Sequence, residues 1–296
     1  MGGFISNIKS RFKKGDILIK LIFINVGIFL LIELFKVICI LFKIQPIDLL
    51  NYVGISSSPV VALKHFWTFF TYMFVHAGIF HIFFNMLIFY WFGKIFLTYF
   101  NPKNLGGLYI LGGIGGAILY IIAFNTIPYY IDMGTIPMVG ASAAVMAVIF
   151  ASAFYRPDAE IGLLLIGRIK IIYIAVFIFI IDFLALGSPT NPGGHIAHIG
   201  GAIVGFIFAK QYLNGKDITA WMNRLIDNII NLFKPKPKKK MTVKINKNKR
   251  TGDYEYNQRK NQEAAEIDTI LDKIKASGYS SLSKEEKKRL FDASNK

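Results

Sequence analysis

Residues 194–212 read GHIAHIGGAIVGFIFAKQY, with one permanent charge, Lys210, near the end and two histidines, His195 and His198, at the start. As a helix rising about 1.5 Å per residue, a run of this length spans a hydrocarbon core about 30 Å thick. An imidazole at membrane depth is expensive, so each histidine is a candidate for function. Five more apolar blocks lie upstream, at about 17–42, 77–100, 105–124, 137–154 and 161–184. With 54% apolar and 15% aromatic residues over 296 positions, the chain has more apolar surface than a soluble domain of its size could bury. The expected fold is an all-α polytopic membrane protein of six transmembrane helices, since helices satisfy their own backbone groups in lipid.

Charge orients that bundle. Lys103 lies between the second and third blocks, and Arg156, Arg168 and Lys170 lie between or beside the fourth and fifth. The opposite loops, 125–136 and 185–193, contain no Lys or Arg. Both termini are therefore expected in the cytoplasm. The formal charge of +16 would suggest nucleic acid if it formed a patch on a globular domain. Instead more than half of it, +9 from 11 Lys and Arg against 2 Asp, sits between Lys216 and Arg250, directly after the last apolar block, where a basic run marks topology and meets anionic lipid headgroups. No nucleic-acid partner is expected. Four segments follow: a cytoplasmic N-terminal stretch 1–15, a six-helix domain 16–212, a basic linker 213–250 and a small helical extension 251–296. In that extension Ile267, Ile270, Leu271 and Ile274 keep a helical period, and Ser283-Lys-Glu-Glu286 has a capping-box pattern. The single cysteine, Cys39, excludes an intramolecular disulfide framework.

With both termini inside, the second, fourth and sixth blocks run in the same direction, so their first two turns share one depth. Those turns hold His81 and Asn85, then Gly140-Ala-Ser142-Ala143, then His195 and His198. A serine hydroxyl needs a base to become a nucleophile, and an oxyanion needs donors aimed at it. His81 and Asn85, at i and i+4, face the same way and can supply such donors. Small residues at four-residue spacing, Ala143 and Ala147 on one block and Ala197, Gly201 and Gly205 on the other, let the two helices touch. Ser142 and His198 each sit one residue from such a stripe, so close contact should bring them within hydrogen-bond reach.

At these positions the chain resembles the rhomboid family of intramembrane serine proteases, over roughly residues 15–212. Trp67 to Gly93, with His76, His81 and Asn85, is similar to the family's first-loop and second-span signature. Gly140-Ala-Ser142 stands where the family has Gly-x-Ser-Gly, and Ala197-His198-Ile-Gly-Gly201 with Gly205 resembles its Ala-His-x-x-Gly-x-x-x-Gly. The resemblance implies a Ser-His dyad without a third acid, Ser142 being nucleophile and His198 general base. It implies an oxyanion hole of His81, Asn85 and the Ser142 backbone N–H, a supporting role for His76, transmembrane proteins as substrates, and no cofactor. The extension 251–296 resembles one carried by some bacterial members, which implies a bacterial plasma membrane as the location. Ala143, Met146 and Thr68 depart from the family pattern, where glycine, tyrosine and arginine respectively are common, and His195 replaces a smaller polar residue.

Three other readings compete. A zinc site could use His195 and His198 with His76 or His81, but His-Glu-x-x-His is absent and no metal is expected. A transporter would favour an inverted repeat, and none is visible between the halves. A catalytically inactive scaffold would not require the intact Ser142 and His198. Asp132 and Asp182, the carboxylates near the outer half of the third to sixth blocks, are expected in structural or interfacial roles.

Overall fold

The computed structural model describes residues 17–45, 48–163, 167–233 and 247–294. The expected N-terminal segment 1–15 and the lysine run 234–240 lie outside the described residues. The chain divides into two compact units, residues 1–234 and 235–296.

The first unit is built on the apolar helices α1 (Ile17–Leu41), α2 (Ile79–Tyr99), α3 (Pro102–Thr126), α4 (Ser142–Tyr155), α5 (Ile171–Leu184) and α6 (Pro192–Leu213). Helices α1, α2, α3 and α6 are long and apolar enough to cross a membrane. Helices α4 and α5 have 14 residues each, which is about 21 Å of rise. The outward faces of α1, α2 and α5 carry large exposed apolar side chains, among them Leu31, Ile40, Phe80, Phe177 and Leu184. Exposed apolar surface on that scale suits lipid rather than water.

Helix α4, buried from Ala143 through Ala153, occupies the centre, and α6 packs most extensively on it, then on α3. Small residues make this possible, because helices in lipid associate by close packing rather than by a hydrophobic drive. Gly201 lies against the backbone of Ala143 and Gly205 against that of Ala147, so a Cβ at either glycine would strike the alanine's carbonyl. On the opposite flank a Cβ at Gly200 would lie 2.7 Å from Gly115 O and 2.8 Å from Gly116 Cα. The α3 face of this seam did not emerge from the sequence.

Two short loops are fastened to this centre. Strand β1 (Ile55–Ser56) pairs antiparallel with β2 (Pro137–Met138), and Tyr120 donates its hydroxyl to Ile136 O at 2.7 Å. Gly140 N–H reaches Tyr72 O at 3.0 Å, while the Tyr72 hydroxyl donates to Gly113 O at 2.7 Å. The backbone entering α4 is thus held from both sides. The Thr68 hydroxyl donates to His65 O at 2.7 Å. Trp67 Nε1 and the Thr71 hydroxyl tie the first loop to Tyr52 O and Val53 O.

Several expected boundaries shift. The fourth block begins as a helix at Ser142, not at 137, because residues 137–138 belong to β2. The fifth, expected at 161–184, begins at Ile171. Ahead of it β3 (Glu160–Leu163) and β4 (Gly167–Lys170) form an antiparallel hairpin, which keeps Arg168 and Lys170 out of the apolar helix. The segment expected as a linker from 213 contains helix α7 (Ala220–Phe233), packed on α3. Asn104 donates to Asp217 at 2.8 Å and to Thr219 at 3.0 Å, and Lys103 pairs with Asp227 at 2.6 Å. The compact unit therefore extends beyond residue 212.

The second unit contains α8 (Lys247–Ser277) and α9 (Lys284–Ser294), the former longer than the helix expected at 263–276. The capping box at the start of α9 is complete: Glu286 N–H donates to Ser283 Oγ at 3.2 Å and Ser283 N–H to Glu286 Oε2 at 2.7 Å. Lys273–Glu286 and Arg289–Glu266 ion pairs join the two helices, and Ile270 and Leu282 are buried.

Candidate active site

A cleft of about 290 Å³ is lined by Asn85 from α2, Ser142 and Met146 from α4, Asp182 from α5 and His198 from α6. Ser142 is the first residue of α4. Its N–H is therefore among those that have no partner within a helix. Two residues earlier Gly140 has φ +137°, a conformation side chains resist. A Cβ there would lie 3.0 Å from His81 Nε2 and 3.6 Å from Ser142 Oγ. The edge of the His81 ring and the serine hydroxyl therefore face one point.

The local bonds set the chemistry of the donors. Ala77 N–H donates to His81 Nδ1 across a long 3.5 Å. A nitrogen that accepts carries no proton, so Nε2 of His81 is the N–H donor beside Gly140. Asn85 is nearly buried and gives one amide proton to His81 O at 2.8 Å, which orients its second. His76 packs edge-on to the His81 ring, with centroids 5.2 Å apart. Burial, then the charge His81 can carry, lowers the His76 pKa to about 4, so this loop imidazole is neutral at physiological pH.

His198 enters from the third turn-bearing helix. Its Nδ1 lies 2.8 Å from Asp182 Oδ1, and His195 Nδ1 lies 2.8 Å from the same oxygen. Asp182 Oδ2 is buried without a hydrogen-bond partner among the described residues. The carboxylate expected in a structural role thus contacts the candidate base. A signal was present, since Asp182 is a carboxylate on an otherwise apolar helix, and such residues default to function. The ligand atoms of Asp182, His195 and His198 all lie within 4.8 Å of one another and could face one cation; His76 and His81 are not in that group.

Ser142 and His198 line the cleft together without a direct hydrogen bond between them. Such bonds are commonly long before a Michaelis complex forms. The helices that carry them meet where Gly201 lies against Ala143 and Gly205 against Ala147.

The family model for the Rhomboid domain matches residues 63–214, and residues 250–296 match a family of unknown function (DUF6576). The chain is similar to "RHOMBOID-like protein 12, mitochondrial" of Arabidopsis thaliana, 27% identical over 210 residues that cover 68% of this chain and 60% of that protein. It is also similar to "Rhomboid-related protein 1" of Caenorhabditis elegans, 31% identical over 157 residues, covering 50% of this chain and 40% of the relative. The chain spans less than two thirds of the length of either relative. These relatives come from a plant and a worm, so the membrane of residence is not set by them. With a Rhomboid domain over half its length and an all-α apolar bundle around its cleft, the chain is an integral membrane protein that belongs to the rhomboid family.

Proposed function

We propose that the chain is an intramembrane serine endopeptidase that cuts transmembrane proteins, with Ser142 as nucleophile and His198 as general base. The observation that carries this reading is the convergence of Ser142, His198 and Asn85 on one cleft, with His81 Nε2 beside Gly140. Ser142 Oγ adds to the carbonyl carbon of the scissile amide while its proton passes to His198 Nε2. The carbonyl π electrons move to oxygen, where His81 Nε2–H, the free Asn85 amide proton and Ser142 N–H receive the charge. The imidazolium then protonates the leaving nitrogen, and water releases the acyl group by the reverse roles.

The membrane arrangement is part of the same proposal. All six helices cross or enter the bilayer, both termini are cytoplasmic, and the cleft opens toward the outer leaflet. Helix α4, about 21 Å long, starts below the membrane surface in a core about 30 Å thick. The nucleophile therefore lies within the bilayer's depth. A substrate helix must unwind near its outer end to present a carbonyl there.

The test is incubation of the detergent-purified protein with a transmembrane substrate. Cleavage and fluorophosphonate labelling are expected for the wild type, and neither for Ser142→Ala; His198→Ala should not cleave. Wild-type turnover by Ser142→Ala would overturn the mechanism. Substrate binding without cleavage by the wild type would favour an inactive scaffold.

A further inference from the structure

We propose that Asp182 is the positioning acid of the Ser142–His198 pair and that His195 is the second anchor of that acid; this inference rests on the proposed protease function. Geometry carries it. One oxygen, Asp182 Oδ1, lies 2.8 Å from Nδ1 of both His198 and His195, and the Asp182 side chain is 7% exposed. An ionised carboxylate only accepts, so each imidazole presents an Nδ1–H to it. The tautomer of His198 is thereby fixed with Nε2 bare, which is the form that can take the serine proton. A purely structural carboxylate gains by engaging both oxygens. Here both histidines meet Oδ1, and the buried Oδ2 is left without a partner among the described residues. That costs stability. What it yields is a negative charge aimed along one line at the base.

The shared oxygen assigns His195 its part. His195 stands one turn before His198 on α6, so the two imidazoles hold the carboxylate between them. Asp182 comes from α5, whose buried residues are limited to Ile171, Ala175 and Asp182 itself. Without His195 the acid would have one tether to α6 instead of two. In the addition step the Ser142 proton moves to His198 Nε2 while the Nδ1–H stays on the ring, bonded to Asp182 and stabilising the imidazolium. No proton passes to the acid.

The test compares Asp182→Asn, which keeps the shape and an acceptor oxygen but removes the charge, with Asp182→Ala and His195→Ala. Asp182→Asn should lower kcat by on the order of 10²- to 10⁴-fold, as loss of the acid does in other serine proteases. KM and thermal stability in detergent should stay at wild-type values, and fluorophosphonate labelling should slow in parallel with kcat. His195→Ala should lower kcat less, and its effect should vanish in the Asp182→Ala background, because both act through one oxygen. Unchanged kcat in Asp182→Asn, or a loss confined to KM and stability, would overturn the positioning role. Additive effects of His195→Ala and Asp182→Ala would overturn the anchor. Stoichiometric zinc in purified wild type, lost together with activity on chelation, would make the cluster a metal site and overturn both. If wild type neither cleaves nor labels, the proposed protease falls and this role falls with it. An active wild type with an indifferent Asp182 overturns the inference alone.

Discussion

Asn85 and Gly140 show how individual residues should separate rate from binding. Asn85 spends one amide proton on His81 O and keeps its second for the cleft. Asn85→Ala should therefore lower kcat by about 10- to 10³-fold with KM little changed, since an oxyanion donor acts mainly in the transition state. Steady-state cleavage kinetics measure this, and a pure KM defect would contradict the role. Gly140→Ala should be harsher, because φ is +137° and the new methyl would lie 2.9 Å from His81 Cε1. A strained backbone costs about 1–3 kcal/mol, so thermal stability in detergent should fall along with turnover. At this scale the sequence was informative where residue types shared a depth: Ser142, His198, His81 and Asn85 occupy the first two turns of alternate helices. Asp182 escaped because it belongs to no motif, and its contact with His198 depends on how α5 leans on α6. A one-dimensional pattern does not contain that angle.

Elements were legible where an apolar run had a single interpretation. Helices α1, α2, α3 and α6 lie within a few residues of their expected bounds. The hairpin β3–β4 was missed because Ile161, Leu163, Leu164, Leu165 and Ile166 read as the start of a span, although Arg168 and Lys170 follow immediately. Their charge favours ending the apolar helix at Ile171 over drawing two cations into lipid. Helix α7 was missed for a different reason: its residues carry Asn, Arg and Asp among the apolar ones, which reads as linker until Thr219 and Asn223 meet α3 at Gly107. The contact of α4 with α6 yields a further prediction. Gly201→Leu should lower the cleavage rate by on the order of 10²-fold, since a displacement of about 1 Å can cost that much. Ile203→Leu, at a half-exposed position on the same helix, should be silent. Cleavage rate measured beside melting temperature distinguishes the two, and full activity in Gly201→Leu would contradict the seam.

At the scale of the whole molecule, α8 and α9 are held by their own contacts: the capping box of α9, the two ion pairs and the buried Ile270 and Leu282. None of the residues that line the cleft comes from this unit. A truncation ending at residue 250 should therefore insert and cleave a model transmembrane substrate at the wild-type rate, and loss of cleavage in a correctly inserted truncation would show coupling between the units.

Where Gly200, Gly201 and Gly205 stand, three helices meet main chain against main chain: Gly200 lies on the backbone of Gly115 and Gly116, Gly201 on that of Ala143 and Gly205 on that of Ala147. An amide there cannot open alone, because the neighbouring main chain must first withdraw. Local opening at the centre therefore requires the whole trio of helices to separate, whereas the far half of α1 and most of α5 border lipid on an exposed face. Deuterium uptake in detergent should be slowest in residues 143–153 and 200–209 and orders of magnitude faster along α5. Equal protection in α5 and α6 would mean that the slow clock of this molecule is kept elsewhere.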